Sequence, residues 1–125
     1  MKLTKLRLTT EASNRLRFVA GKTGLTPNLL CRLGFCLSLR ELSVPNPTDY
    51  LEEDREFNRY TLLGEYDQLF ISLLIERCHR DGLELGKLPD YFRAHVNRGV
   101  VLLQQRVKSI AGLSQLIPPQ PERDK

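Results

Sequence analysis

The 125 residues of this chain suffice for one ordinary domain with its own hydrophobic core. Hydrophobic residues make up 41% and charged residues 27%, which excludes a disordered chain and an integral membrane protein, and the formal net charge of +4 is only mildly basic. Because the first residues lack the apolar stretch of a signal peptide, and because no run approaches the roughly 20 apolar residues of a membrane span, we expect a cytoplasmic protein.

The opening of the chain predicts a short strand followed by a helix. Apolar and polar residues alternate from Lys5 to Thr9, which is the pattern of a half-buried strand. Thr9 and Thr10 then offer a hydroxyl cap, and apolar residues recur at helical spacing up to Gly21, where we expect the first helix to end.

A second helix begins at Thr26-Pro27 and ends before Val44-Pro45-Asn46-Pro47. The connector Gly21-Lys22-Thr23-Gly24 is not a Walker A loop, because its lysine follows the first glycine and it joins two helices. It can present Lys22 to a phosphate, and the free amides at Thr26-Pro27-Asn28 can hold one. A plain turn between helices is the alternative.

The second half of the chain predicts two more amphipathic helices. Residues 48–64 fit either an extended or a helical structure, and the pattern does not decide between them. Helical spacing is clear from Glu65 to Arg80, and again from Leu88 to a stop at Gly112. We predict a single helical domain over residues 1–117 and a disordered tail over residues 118–125.

Charge is distributed unevenly along the chain. Residues 1–40 carry eight basic residues against one acidic residue, whereas residues 41–70 carry eight acidic residues against two basic ones. The basic segment can meet phosphates, and the acidic segment can pair with the basic segment of a neighbouring subunit. The alternative is that these charges only solvate the outer faces of helices.

The predicted fold is mostly α: a short N-terminal β-strand, a helix-turn-helix and two further amphipathic helices. This order resembles the ribbon-helix-helix unit, in which the strand pairs with its copy from a second chain. We expect such pairing, because an isolated strand leaves its backbone groups unpaired. The chain would then be a homo-oligomer, with Lys5 and Arg7 placed to enter a major groove. Alternatively, the strand only joins the subunits and does not contact DNA.

Few residues are available for catalysis or metal binding. The three cysteines lack a Cys-x-x-Cys pair and are expected to be small buried hydrophobic residues. His95 is expected in the core or at an interface, and His79-Arg80-Asp81 matches the kinase triplet in letters only. The sequence therefore predicts a protein without catalytic residues, metal or cofactor.

Five short motifs, taken in order, resemble the DndE family, the small proteins of bacterial DNA phosphorothioate modification systems. The resemblance covers about residues 2–112. The motifs are Leu6-Arg7-Leu8-Thr9, Leu25-Thr26-Pro27-Asn28-Leu29-Leu30-Cys31-Arg32, Gly64-Glu65-Tyr66-Asp67, Asp81-Gly82-Leu83-Glu84 and His95-Val96-Asn97-Arg98-Gly99.

The resemblance implies an accessory protein that acts with a cysteine desulfurase, an iron-sulfur protein and an ATPase-like protein to replace a phosphate oxygen of DNA with sulfur. It also implies a homo-oligomer that binds double-stranded DNA and prefers nicked duplex, and symmetry with complementary charge suggests a dimer or a tetramer. The residues expected to contact DNA are Lys2, Lys5, Arg7, Arg17, Gly21, Lys22, Thr23 and Gly24.

Two other functions fit the same sequence. One is a scaffold that docks the other modification proteins through the acidic residues 49–56 without touching DNA. The other is a ribbon-helix-helix transcriptional regulator, which requires Lys5 and Arg7 exposed on a ribbon shared by two chains.

Overall fold

The computed structural model describes residues 3–107, and this part of the chain is mainly helical. One short antiparallel sheet joins the N-terminal segment to the middle of the chain. Short 3-10 turns at Pro47–Tyr50, Gly64–Tyr66 and Leu85–Lys87 connect the longer elements. Those elements are β1 (Lys5–Arg7), α1 (Thr10–Thr23), α2 (Pro27–Arg40), β2 (Glu56–Asn58), α3 (Arg59–Leu63), α4 (Asp67–Arg80) and α5 (Leu88–Arg106).

The caps of α1 and α2 are the hydroxyl residues that the sequence indicates. The side chain of Thr9 accepts a hydrogen bond from the amide of Ala12, and Thr26 accepts one from Leu29. The predicted end of α1 at Gly21 is wrong, because the helix continues to Thr23. Gly24 ends it with φ of 73°, a left-handed conformation that glycine adopts without strain.

The strand β1 pairs with β2 of its own chain, so it is not the isolated strand from which pairing with a second copy was expected. Leu6 lies opposite Phe57, and both side chains are buried. One edge of β1 is thus paired with a segment about 50 residues further along the chain. This pairing gives no support to the ribbon-helix-helix regulator, which needs β1 on a ribbon shared between chains.

The long helix α5 lies at the centre of the molecule and packs against α2, α1, α4 and β1. Its crossing with α2 is close because both helices carry glycine there: a Cβ on Gly99 would lie 1.9 Å from the carbonyl oxygen of Gly34. The ring of Phe35 stands edge-on to Phe70 and Phe92, with centroids 5.7 and 5.9 Å apart. This crossing forms the middle of the core.

Residues 48–64, for which the sequence pattern did not decide between extended and helical structure, contain both. Residues 48–64 contain a 3-10 turn, the strand β2 and the single-turn helix α3, whose amides at Tyr60 and Thr61 are capped by the Asn58 side chain. The helix α5 starts at Leu88 as predicted and ends at Arg106, before Gly112. Gly112, the predicted domain end at residue 117 and the tail 118–125 lie outside the described residues.

Two of the three cysteines are core residues, and the third is not. Cys31 and Cys78 are buried, and burial raises the pKa of Cys31 to about 12, so it stays a thiol. Cys36 is exposed, so the prediction that all three are buried is wrong for this residue.

In the part of the chain described, no helix has both the length and the apolar character needed to cross a membrane.

Candidate nucleic-acid interface

The strand β1 carries two of the predicted cations, in different surroundings. Lys5 is exposed and forms no salt bridge among residues 3–107. Arg7 is partly exposed, with Nη2 2.8 Å from a carboxylate oxygen of Glu56 and Nε 3.9 Å from one of Glu53. Lys5 is thus the freer cation of the two.

The outer face of α1 carries Arg17 and Lys22, the other two predicted DNA-contacting cations within residues 3–107. Arg17 is exposed, and its guanidinium donates only to the side chain of Asn14 within the described residues. Lys22 is exposed, with its ammonium 5.6 Å from the ring centroid of Phe18, which is itself 46% exposed. Neither cation has a carboxylate partner in the part of the chain described.

The turn after α1 is only partly available to a ligand. Gly21 and Gly24 are exposed. Thr23 is buried: its hydroxyl donates to the Val19 carbonyl oxygen at 2.8 Å and accepts from the Leu25 amide at 3.2 Å. Its side chain therefore holds the turn in shape. Lys2 lies outside the described residues.

The buried side chain of Asn97, in the fifth motif, holds β1 and α1 in place. Asn97 of α5 accepts from the Thr9 amide at 2.9 Å and donates to the carbonyl oxygens of Arg7 and Arg93. Because Asn97 is fully buried, these bonds are shielded from water. The sequence signal for this role is an amide side chain on the apolar face of the last predicted helix, because an amide buried there needs hydrogen-bond partners.

The acidic segment lies beside the basic one within the same chain. A carboxylate oxygen of Glu52 accepts from the Thr10 amide at 2.7 Å, at the positive end of α1, and Glu53 and Glu56 face Arg7. These three acids were expected to pair with the basic segment of a neighbouring subunit. In the structure they contact the basic segment of their own chain.

The polar cluster under α5 is structural. Ser38 Oγ is 2.8 Å from His95 Nδ1, and Arg98 donates to the same oxygen at 2.8 Å. Burial first, and the charges of Arg98 and Arg77 second, lower the pKa of His95 to about 3. His95 is fully buried, which confirms its predicted place in the core, and it is too enclosed to meet a substrate. Among the described residues, no three His, Cys, Asp or Glu side chains form a metal-binding group.

An open apolar groove lies between α2 and α4. Its volume is about 270 Å³, and its walls are almost entirely hydrophobic apart from one guanidinium, which donates to the Leu62 carbonyl oxygen at 2.6 Å. Leu69 is 55% exposed and Tyr66 is 50% exposed. The lining residues are Leu29, Arg32, Leu33, Cys36, Tyr66, Leu69 and Phe70.

Residues 5–111 match the family model of DndE, the DNA sulphur modification protein. The chain belongs to the DndE family. DndE from Escherichia coli B7A, whose crystal structure is described as involved in DNA phosphorothioation modification, is 28% identical, with a TM-score of 0.65 over 82% of this chain and 99% of that one.

A second DndE crystal structure, of a double glycine-to-lysine mutant, is 24% identical, with a TM-score of 0.63 over the same shares of the two chains, and it supports the fold alone. A search of curated proteins finds no significant match.

The family predicted from the five motifs is therefore confirmed, and with it a place among proteins of DNA phosphorothioation. The DndE family model covers β1 and all the described helices.

Proposed function

We propose that this DndE-family chain is a non-enzymatic, homo-oligomeric accessory subunit that binds double-stranded DNA directly in the cytoplasm. The observation that carries the proposal is that Lys5, Arg17 and Lys22 are exposed and form no salt bridge among residues 3–107. Such cations neutralise phosphates and release condensed counterions, which is the main source of sequence-independent affinity for DNA.

The turn Gly21–Gly24 supports the same surface. Its exposed glycines bring the backbone to the surface beside Lys22, without side chains that would keep a duplex away. Arg7 and Lys2 complete the proposed contacts. Arg7 should contribute less to the affinity for DNA, because the carboxylate of Glu56 already neutralises part of its charge. Sequence readout is expected to be weak, since binding through phosphates carries no base information.

The proposed ligand is duplex DNA, with nicked duplex preferred. A nick removes part of the bending stiffness, so the duplex can follow a curved basic surface at lower cost. The proposed protein partners are the iron-sulfur protein and the ATPase-like subunit of the modification machinery.

The test is a titration of nicked and intact duplex with the double variant Lys5→Ala/Lys22→Ala across a range of salt. Loss of two phosphate contacts should lower the affinity and reduce the slope of log K against log salt by about 1.8. The oligomer mass by light scattering should not change. The matched control Arg80→Ala removes an exposed cation of α4 outside the proposed surface, and it should bind like the wild type.

Unchanged affinity in the double variant would overturn the site. If the wild type gives no gel shift at micromolar concentration and physiological salt, the scaffold function takes its place, with residues 49–56 as the docking surface.

A further inference from the structure

The exposed face of α1 combines an aromatic ring with an excess of cations. Phe18 is a large apolar side chain left 46% exposed to water. Arg17 precedes it in the chain, and Lys22 lies one turn later with its ammonium near the ring. The one carboxylate of α1, Glu11, lies two turns before Phe18 and pairs with Arg15 at 3.2 Å, and residues 12–40 contain no Asp or Glu.

A second copy of the chain is a poor occupant for this face. Each copy would bring Arg15, Arg17 and Lys22 against the single acid Glu11, and two faces with the same net charge repel each other. An anionic ligand with a flat apolar face suits the site better. A nucleotide has both parts, since its phosphates are anionic and its base stacks on aromatic rings.

We propose that Phe18 stacks on an unpaired base at an interruption in duplex DNA, while Arg17 and Lys22 hold the adjoining phosphates. In an intact duplex the faces of the bases are covered by their neighbours, so Phe18 gains nothing there. Where a nucleotide is missing, the base opposite the gap offers a free face. The inference rests on the proposed DNA binding and names the residue that distinguishes interrupted from intact duplex.

The experiment compares two hairpin duplexes by fluorescence anisotropy, one intact and one lacking a single nucleotide in one strand. The wild type should bind the gapped duplex about tenfold more tightly, as expected for one stacked base. Phe18→Ala should reduce this preference to the part that bending contributes and leave the affinity for the intact duplex within about twofold. Phe18→Trp should restore it, and Phe18→Leu should not, because stacking needs an aromatic ring.

A change in the DNA separates stacking from flexibility. An abasic site opposite the gap keeps the phosphates and the flexible joint but removes the base. Stacking predicts that the wild type then keeps only the part of its preference that the flexible joint contributes, and that Phe18→Ala shows no further loss. A preference that the abasic site leaves undiminished would come from bending alone, and it would overturn the role of Phe18.

Two controls keep this outcome distinct from failure of the proposed function. Lys22→Gln should weaken binding to both duplexes, and Leu85→Ala, which removes an exposed apolar residue elsewhere, should change neither. If the wild type binds neither duplex, the proposed DNA binding fails. If it binds both, and Phe18→Ala keeps the wild-type ratio or changes the oligomer mass, only the stacking inference fails.

Discussion

At the scale of single residues, His95 shows how burial determines the state of an ionisable group. Its ring is enclosed by α2 and α5, stands edge-on to Phe35 with centroids 6.1 Å apart, and has Arg98 and Arg77 as charged neighbours. A proton on this ring would be a further positive charge in a dry, already cationic environment. The folded protein therefore keeps His95 neutral.

This predicts an acid-sensitive fold. The pKa of His95 falls from 6.5 to about 3 on folding, so between these values the unfolded chain binds a proton that the folded chain does not. The free energy of unfolding should therefore fall as pH is lowered from about 6.5 toward 3, by up to about 1.4 kcal/mol per pH unit from this group. Urea unfolding at several pH values measures the slope.

The variant His95→Asn lacks the titrating ring and should show a smaller fall over the same pH range. The control His79→Asn removes an exposed histidine of α4, and its profile should keep the wild-type slope. Equal slopes for wild type and His95→Asn would contradict the assignment.

The exposure of the proposed DNA-contacting residues could be predicted only where it depends on the spacing of residues along one helix. Arg17 and Lys22 lie on the polar face of an amphipathic helix, so their exposure follows from spacing. Spacing does not predict the burial of Thr23, which depends on the turn at Gly24. It does not predict the pairing of Arg7 with Glu56 either, because Glu56 lies about 50 residues away in the chain. Asn97 was missed for the same reason, since its partners lie some 90 residues away.

At the scale of elements, the crossing of α2 and α5 depends on two glycines. Backbone meets backbone at Gly34 and Gly99, and a methyl group on either would meet main-chain atoms, which cannot move aside as a flexible side chain can. The two helices would have to separate, and the rings packed around Phe35 would lose contacts.

Gly99→Ala should therefore destabilise the protein strongly, by about 3 kcal/mol or more, in the upper range for overpacked cores. Gly34→Ala should cost less, since its Cβ would lie 2.8 Å from the nearest atom rather than 1.9 Å. Gly21→Ala is the matched control: nothing lies within 4 Å of that Cβ, and alanine in a helix should raise stability by about 0.5–1 kcal/mol. Urea unfolding of the three variants tests the order, and a stable Gly99→Ala would refute it.

The helices that are long and have clear caps were predictable as elements, and the short ones were not. Thr9, Thr26 and Pro27 mark starts whose physics is local, and the spacing of apolar residues identifies the faces of α1, α2, α4 and α5. In contrast, β2 and α3 have three and five residues, too few for periodicity to be visible. The partner of β1 could not be found from the sequence, because pairing depends on which distant segment the helices bring alongside.

At the scale of the whole molecule, the groove between α2 and α4 is the surface that would mediate the proposed self-association. In two copies related by a two-fold axis, each would cover the apolar lining of the other. The acidic segment, which the sequence suggested for this role, is already engaged with β1 and α1 of its own chain.

Leu69→Lys should therefore reduce the oligomer mass measured by light scattering, because it places a charge in an apolar contact, while the far-UV circular dichroism stays unchanged. Leu85→Lys makes the same change at a side chain 52% exposed and outside the groove, and it should keep the wild-type mass. A wild-type mass for Leu69→Lys, or a monomeric wild type, would rule out this interface.

The pairing of β1 with β2 has a consequence for synthesis of the chain. When the ribosome has produced only the first forty residues, the strand and both opening helices exist as sequence, but the segment that completes the sheet and the long helix that carries Asn97 do not. The basic segment therefore cannot reach its final conformation early. It gains that shape only when α5 has emerged, so a chain stopped short of that point would carry the same charges without the surface that arranges them.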